Sequence, residues 1–215
     1  MSNRVLAARR PLVLVGTLLV ANLLGMVGWI WDWQGHLNGV TIQDAHVAMD
    51  LGALSIVLAL VLAARRTPFP SALLISYVLL ILAAIVVLGP MVLMGLYSRS
   101  TLAANLMQSY MGSLRTTGGI PFALPLLALA LWAAWLWLRA GGFEGWRLAV
   151  AGGLAILAGG VIVDVFWHQT HPMVTDAGPY MNTLTLPGHQ LQLLGFVIGG
   201  VGALVGVSLW RERCT

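Results

Sequence analysis

Aspartate and histidine recur at one interval in this chain. Asp32 is followed four residues later by His36, Asp164 by His168, and His46 by Asp50. On a helix, residues four apart share a face and lie one turn, about 6 Å, apart. Each pair can therefore present a carboxylate and an imidazole to one point. His189 adds a further imidazole at the start of the last apolar segment. Carboxylate plus two imidazoles is a workable first shell for copper, zinc or iron, and ligand type alone does not choose among them. The candidate metal ligands are thus Asp32, His36, His46, Asp50, Asp164, His168 and His189. Asp50 is also the one candidate for an acid or base. Asp44, just ahead of His46, reads as a helix N-cap. His171 and Asp176, in a polar stretch with Pro172, Gly178 and Pro179, read as loop residues.

The ligand pairs sit inside a larger repeat. Gly28-Trp-Ile-Trp-Asp32-x3-His36 aligns with Gly160-Val-Ile-Val-Asp164-x3-His168, and His46-x4-Leu51-Gly52 aligns with His189-x4-Leu194-Gly195. Both second segments then run out into arginine, at Arg65-Arg66 and at Arg211. Each half offers Asp and His from its first helix and His from its second. The repeat halves cover about residues 11–66 and 147–213.

The elements that must position these residues are membrane helices. Of 215 residues, 59% are hydrophobic and 8% charged, against roughly 25% charged in a soluble domain. So few charges cannot clothe a surface in water. Six segments reach the roughly 20 apolar residues a bilayer span needs: Pro11–Trp31, Ala45–Ala64, Ser71–Tyr97, Pro121–Leu138, Arg147–Trp167 and His189–Trp210. The hydrocarbon region admits only internally bonded backbone, so each should be a helix. The third is overlong and carries Gly89-Pro90, where a kink or an end is expected. The first run is too long for a signal-peptide core. One all-α six-helix domain over residues 1–215 is the expected fold.

Orientation follows from the arginines. All eleven basic residues are Arg. Arg4, Arg9, Arg10, Arg65, Arg66, Arg139, Arg147, Arg211 and Arg213 fall on one side of the six spans, and only Arg99 and Arg115 on the other. The positive-inside rule then puts both termini in the cytoplasm of a bacterial-type plasma membrane, crossed several times. With both hairpins starting inside, the repeat is parallel, about an axis along the membrane normal. Every histidine and all five aspartates come to lie on the extracytoplasmic side. The arginines are scattered, so no nucleic-acid patch and no nucleotide cofactor are expected. Lone Cys214 can form no internal disulfide.

Four secondary features complete the expectation. Leu102, Leu106, Tyr110 and Leu114 recur every four residues opposite polar ones, which predicts an outer interfacial helix over 101–114. Trp29, Trp31, Trp33 and Trp167 outside, and Trp135, Trp137 and Trp210 inside, read as aromatic belts. Ala151, Ala155 and Gly159, with Gly195-x3-Gly199 and Gly202-x3-Gly206, predict close packing of the last two helices, bringing Asp164 and His168 beside His189. Met91, Met94, Met107, Met111, Met173 and Met181 on the outer side are apolar filler or soft Cu(I) ligands.

Asp164-Val-Phe-Trp167-His168-Gln169, followed by Leu186-Pro187-Gly188-His189, resembles the copper-site motif in a membrane subunit of the copper membrane monooxygenases, the particulate methane and ammonia monooxygenases. The resemblance covers about residues 160–195. It implies copper held by Asp164, His168 and His189. That family also carries an Asn/His/His group, with which Asp32, His36 and His46 compare, Asp replacing Asn. An oxidoreductase subunit with other membrane subunits as partners, and a small apolar substrate arriving through lipid, is what the resemblance implies.

The function expected from the sequence is a membrane metalloprotein with an extracytoplasmic Asp/His site for copper, zinc being the alternative metal. It would be a remote relative of that oxygenase subunit or a copper-handling partner. The rival classes are an intramembrane zinc hydrolase acting on lipid and a structural membrane subunit without metal.

Overall fold

The computed structural model describes residues 3–38, 43–63, 74–78, 81, 101, 102, 105, 106, 120–141, 144–170 and 187–212. Every described residue except Asn38 and Glu144 is helical. The long helices are α1 (Asn3–Leu37), α2 (Gln43–Ala63), α3 (Ile120–Gly141), α4 (Gly145–Thr170) and α5 (Pro187–Glu212). Helix continues over 74–78, within the third apolar segment. Gly89-Pro90 and most of 101–114 lie outside the described residues; of the latter, Leu102 and Leu106 are helical and exposed.

Among the described residues, three stretches are long and apolar enough to cross a membrane: Leu12–Gly35, Gly145–Asp164 and Pro187–Trp210. Shorter apolar stretches occupy Ala48–Leu62 and Leu127–Arg139. Helix α1 begins well before its apolar run, at Asn3 rather than Pro11. Backbone hydrogen bonding sets a helix end, whereas apolarity sets only the part that suits hydrocarbon. Likewise Asp44 falls inside the first turn of α2, where a carboxylate still favours the helix dipole, rather than ahead of it.

The helices form a ring. Helix α1 packs on α2 and on α5, α5 on α4, α4 on α3, and α3 returns to α2; the α4–α5 seam is the most extensive. Leu18, Leu60, Leu129, Val150 and Phe196 fill its interior. The outer surface is apolar too, with Val13, Val20 and Val27 exposed in a stripe along α1. In water such a surface would drive aggregation; in lipid it is solvated.

The two hairpins cross in the same way. A β-carbon on Gly28 would lie 2.8 Å from Ala45 O and Met49 N, and one on Gly160 would lie 2.8 Å from Gly188 O and Gln192 N. One on Gly52 would meet Ala21 O and Gly25 N at 2.8 Å; one on Gly195 would meet Gly153 O and Leu157 N at 2.7 Å. Each atom in the first hairpin is the counterpart of the matching atom in the second under the alignment of Gly28 with Gly160 and His46 with His189. These backbones touch where no side chain fits, as small-residue membrane crossings do. On α5 the expected Gly195, Gly199, Gly202 and Gly206 all lie against α4; on α4 the close approaches fall at Gly153, Leu157 and Gly160, whereas a β-carbon on the expected Gly159 would meet nothing within 4 Å.

Candidate metal centre

Antiparallel pairing brings the C-terminal ends of α1 and α4 and the N-terminal ends of α2 and α5 to one end of the ring. Arg139, ending α3, and Arg147, starting α4, mark the other. At the first end, three ionisable residues from three helices meet. His189 Nδ1 lies 3.3 Å from Asp164 Oδ1, and His189 Nε2 lies 3.9 Å from Asp32 Oδ2. Asp32 is fully buried, the His189 side chain is 6% exposed, and that of Asp164 is 21% exposed. Each ring nitrogen thus faces a carboxylate, one from its own hairpin and one from the other half of the chain.

The α1–α5 seam carries Asp32 across to His189. The Trp29 indole N–H donates to the His189 carbonyl at 2.9 Å, in a buried contact. One turn away, Gly25 accepts the Phe196 ring where a β-carbon would collide with it. Deeper still, buried Asn22 donates from Nδ2 to Leu18 O at 2.7 Å, and its Oδ1 occupies the place a Gly199 side chain would need. Trp33 stacks obliquely on Trp29 with ring centroids 6.3 Å apart. Its buried indole nitrogen has no acceptor among the described residues.

Carboxylates this deep in an apolar bundle cost several kcal/mol each unless a cation balances them. Among the described side chains, a protonated His189 would set one positive charge against two carboxylates. A divalent cation beside neutral imidazole would balance both. The spacing also suits an ion on the Asp164 side. Two ligands at 2.0–2.2 Å from a tetrahedral ion lie roughly 3.3–3.6 Å apart, and the Nδ1–Oδ1 separation is 3.3 Å. That distance exceeds the usual 2.7–3.2 Å of an N–H···O bond. The 3.9 Å on the Asp32 side is wider than a ligand pair and too long for a direct hydrogen bond, so Asp32 faces the ring as a charge rather than as an acceptor. The Asp164–His189 separation is therefore compatible with two ligands of one ion.

Among the described side chains, no three His, Cys, Asp or Glu form a complete metal-binding group. His36, His46 and His168 stand on α1, α2 and α4 near the same end, but their side chains lie outside the described residues. Asp50, on α2, is exposed. His171, Asp176 and the six outer methionines lie outside the described residues.

Two tryptophans assigned to belts do something else. Trp29 is buried and holds His189. Trp137 is buried at the opposite end, with the Arg147 guanidinium 3.9 Å above its ring and Arg147 Nη2 donating to its carbonyl at 3.2 Å. Trp31 and Trp135 are exposed, as belt residues are. Spacing could not separate these roles, because both need an aromatic near a helix end. Comparison with protein-family models, with curated proteins and with solved structures finds no match to this chain.

Proposed function

We propose that the protein is a bacterial plasma-membrane metalloprotein, spanning the bilayer six times with both termini inside, and that it holds copper in an extracytoplasmic Asp/His centre. One observation carries the reading: the His189 imidazole sits between Asp164 and Asp32, buried, in a chain with 8% charged residues. Charged groups inside membrane helices are expensive and mark functional sites. Asp164 and His189 serve as ligands, and His168 joins them by register, one turn beyond Asp164. Asp32 faces Nε2 from the other half and adds negative charge beside the ring. His36 and His46 extend the set from the first hairpin. The matched glycine crossings support a parallel repeat as the source of the two ligand sets.

Copper over zinc is favoured by the resemblance of residues 160–195 to the copper-site motif of the copper membrane monooxygenases. Bound copper would supply one-electron chemistry toward dioxygen. The chain's own part is to hold the ion near the outer surface, exclude water with Trp29 and Trp33, and leave Asp164 partly open as a route for loading. An oxidoreductase subunit acting on a small apolar substrate reaching the site through lipid, beside other membrane subunits, follows from the same resemblance.

The test is metal analysis of protein purified in detergent after loading with copper, with zinc in competition. Stoichiometric copper is expected, and Asp164→Ala, His168→Ala and His189→Ala should each weaken binding by about ten-fold or more. Stoichiometric zinc with copper excluded would turn the reading to a zinc-dependent lipid hydrolase. Absence of either metal under every loading condition would leave an ionic clamp joining α1, α4 and α5.

A further inference from the structure

A second polar cluster lies at the opposite end of the ring from the Asp/His site. Helix α3 ends there and α4 begins, and Arg147, in the first turn of α4, reaches back to α3. Its guanidinium carbon lies 3.9 Å from the centre of the Trp137 ring and 5.4 Å from that of Trp146. The two indoles meet edge to face, 5.7 Å apart with their planes at 75°, so the cation sits in a corner between them. Arg147 Nη2 donates to the Trp137 carbonyl at 3.2 Å, and the Trp146 indole donates to Glu144 Oε2 at 2.6 Å. The corner is thus built from both helices and fixed by its own hydrogen bonds.

Two donors in it stand without an acceptor among the described residues. They are Arg147 Nε and Trp137 Nε1, both buried, and Trp137 as a whole is 2% exposed. A buried donor left unpaired is costly, the more so when it belongs to a cation. Glu144, the carboxylate beside them, is exposed and already serves Trp146. Arg147 itself is only partly buried, so part of it reaches the surface. An anion arriving there meets a guanidinium, and a small turn of the arginine side chain gives the orphan donors an acceptor.

Depth decides which anion. Arg147 stands near the start of the apolar stretch Gly145–Asp164, beside the end of Leu127–Arg139. Residues at the ends of membrane-crossing stretches lie at the level of the lipid headgroups. The anion concentrated at that level is phosphate, and basic pockets between membrane helices are where acidic headgroups dock. Arginine suits the task, because its planar fork matches two phosphate oxygens.

We propose that Arg147 and Trp137 form a phosphate site for one acidic phospholipid, at the arginine end of the α3–α4 seam. The phosphate accepts from the guanidinium and from Trp137 Nε1, and the acyl chains run along the apolar outer surface. The Glu144 charge opposes the phosphate and limits its affinity. Arg139, exposed and 5.9 Å from the Trp135 ring, adds positive charge without an enclosed donor. The site is remote from His189 and independent of any metal there.

Full-length protein in a neutral detergent is titrated with phosphatidylglycerol, phosphatidylcholine or inorganic phosphate, and bound molecules are counted by native mass spectrometry. One phosphatidylglycerol per chain is expected at concentrations where phosphatidylcholine is lost. Equal retention of both lipids would mean adventitious lipid only and overturn the proposal. Saturation by inorganic phosphate at the same concentration as the lipid would assign the site to free phosphate and overturn the lipid. Arg147→Met should weaken retention about ten-fold or more, as loss of a charge-assisted hydrogen bond does; wild-type retention would refute the site. Trp137→Phe keeps a ring under the guanidinium and removes only the N–H, and should weaken retention roughly three-fold. No change would take the indole out of the site. Arg139→Met should have the smaller effect of a screened surface charge; a loss equal to that of Arg147→Met would reduce the cluster to a diffuse positive surface. Glu144→Gln keeps an acceptor for Trp146 and should tighten retention, whereas weaker retention would overturn the opposition assigned to Glu144. Should Arg147→Met fail to fold, Trp137→Phe and Glu144→Gln decide the matter.

Discussion

Gly25→Ala tests whether packing deep in the bundle controls the site at its end. The added methyl would lie 2.5 Å from Phe196 Cδ1 and closer still to the rest of that ring edge. Carbon atoms settle at about 3.5–4.0 Å, so α1 and α5 must separate by at least about 1 Å. Phe196 is 1% exposed and has nowhere to swing. Overpacking of this kind costs about 1–3 kcal/mol. The same separation, carried one turn up, would stretch the Trp29–His189 hydrogen bond from 2.9 Å to about 3.9 Å, past the limit of such a bond. Thermal unfolding in detergent should thus show a lower melting temperature, and copper titration a weaker site, from one buried methyl remote from any ligand. Shrinking the obstacle should reverse both effects: the Gly25→Ala, Phe196→Ala double variant is expected to be more stable than the sum of its single losses by at least about 1 kcal/mol. Wild-type melting and wild-type affinity for Gly25→Ala, or simple additivity in the double variant, would refute the reasoning.

Three further outcomes are expected. Gly199→Leu should lower the melting temperature more than Leu204→Ala, since the first drives a side chain into Asn22 Oδ1, 2.6 Å from its β-carbon, and the second trims an exposed residue; equal losses would show that the glycine face is no interface. Reporter fusions at both termini and at residues 67 and 143 should read as cytoplasmic, and those at 40, 105 and 178 as external; a cytoplasmic signal at 178 would separate the two hairpins and end the paired-site reading. Arg147→Lys should cost about 1 kcal/mol in detergent melts, because a lysine cannot both stack on Trp137 and reach its carbonyl as the planar guanidinium does; an unchanged melting temperature would show that this cap carries no stability.

Helical structure was legible in the chain because an apolar run long enough for a bilayer has only one economical backbone solution. The extent of each helix was less so, as α1 shows by starting at Asn3: hydrogen bonding continues past the point where apolarity stops. Which face of each helix meets a neighbour was legible only in part: the glycine stripe of α5 does face α4, but the α4 side of the seam was misplaced at Gly159. In water, polar residues mark the outer face, but beside lipid both faces are apolar. Gly159 looked as good a seam position as Gly153 or Gly160, and only the crossing of α4 with α5 distinguishes them.

The same division runs through the site. Sequence alone picked out the candidate residues, because Asp and His are so rare here that their spacing and repetition stand out. It also paired Asp164 with His189, since both flank one hairpin. What tertiary structure decided is that Asp32 of the first half approaches His189 of the second, and that Trp29 holds the backbone of that histidine. These depend on α1 docking against α5 while α3 stands beside α2, an arrangement of helices far apart in the chain. Local spacing carries no information about it, because many ring orders satisfy the same six apolar runs. The physical selector is steric: Gly25 against Phe196, Gly199 against Asn22 and Gly188 against Asp164 fit in one arrangement of the helices, and that arrangement gathers the charges.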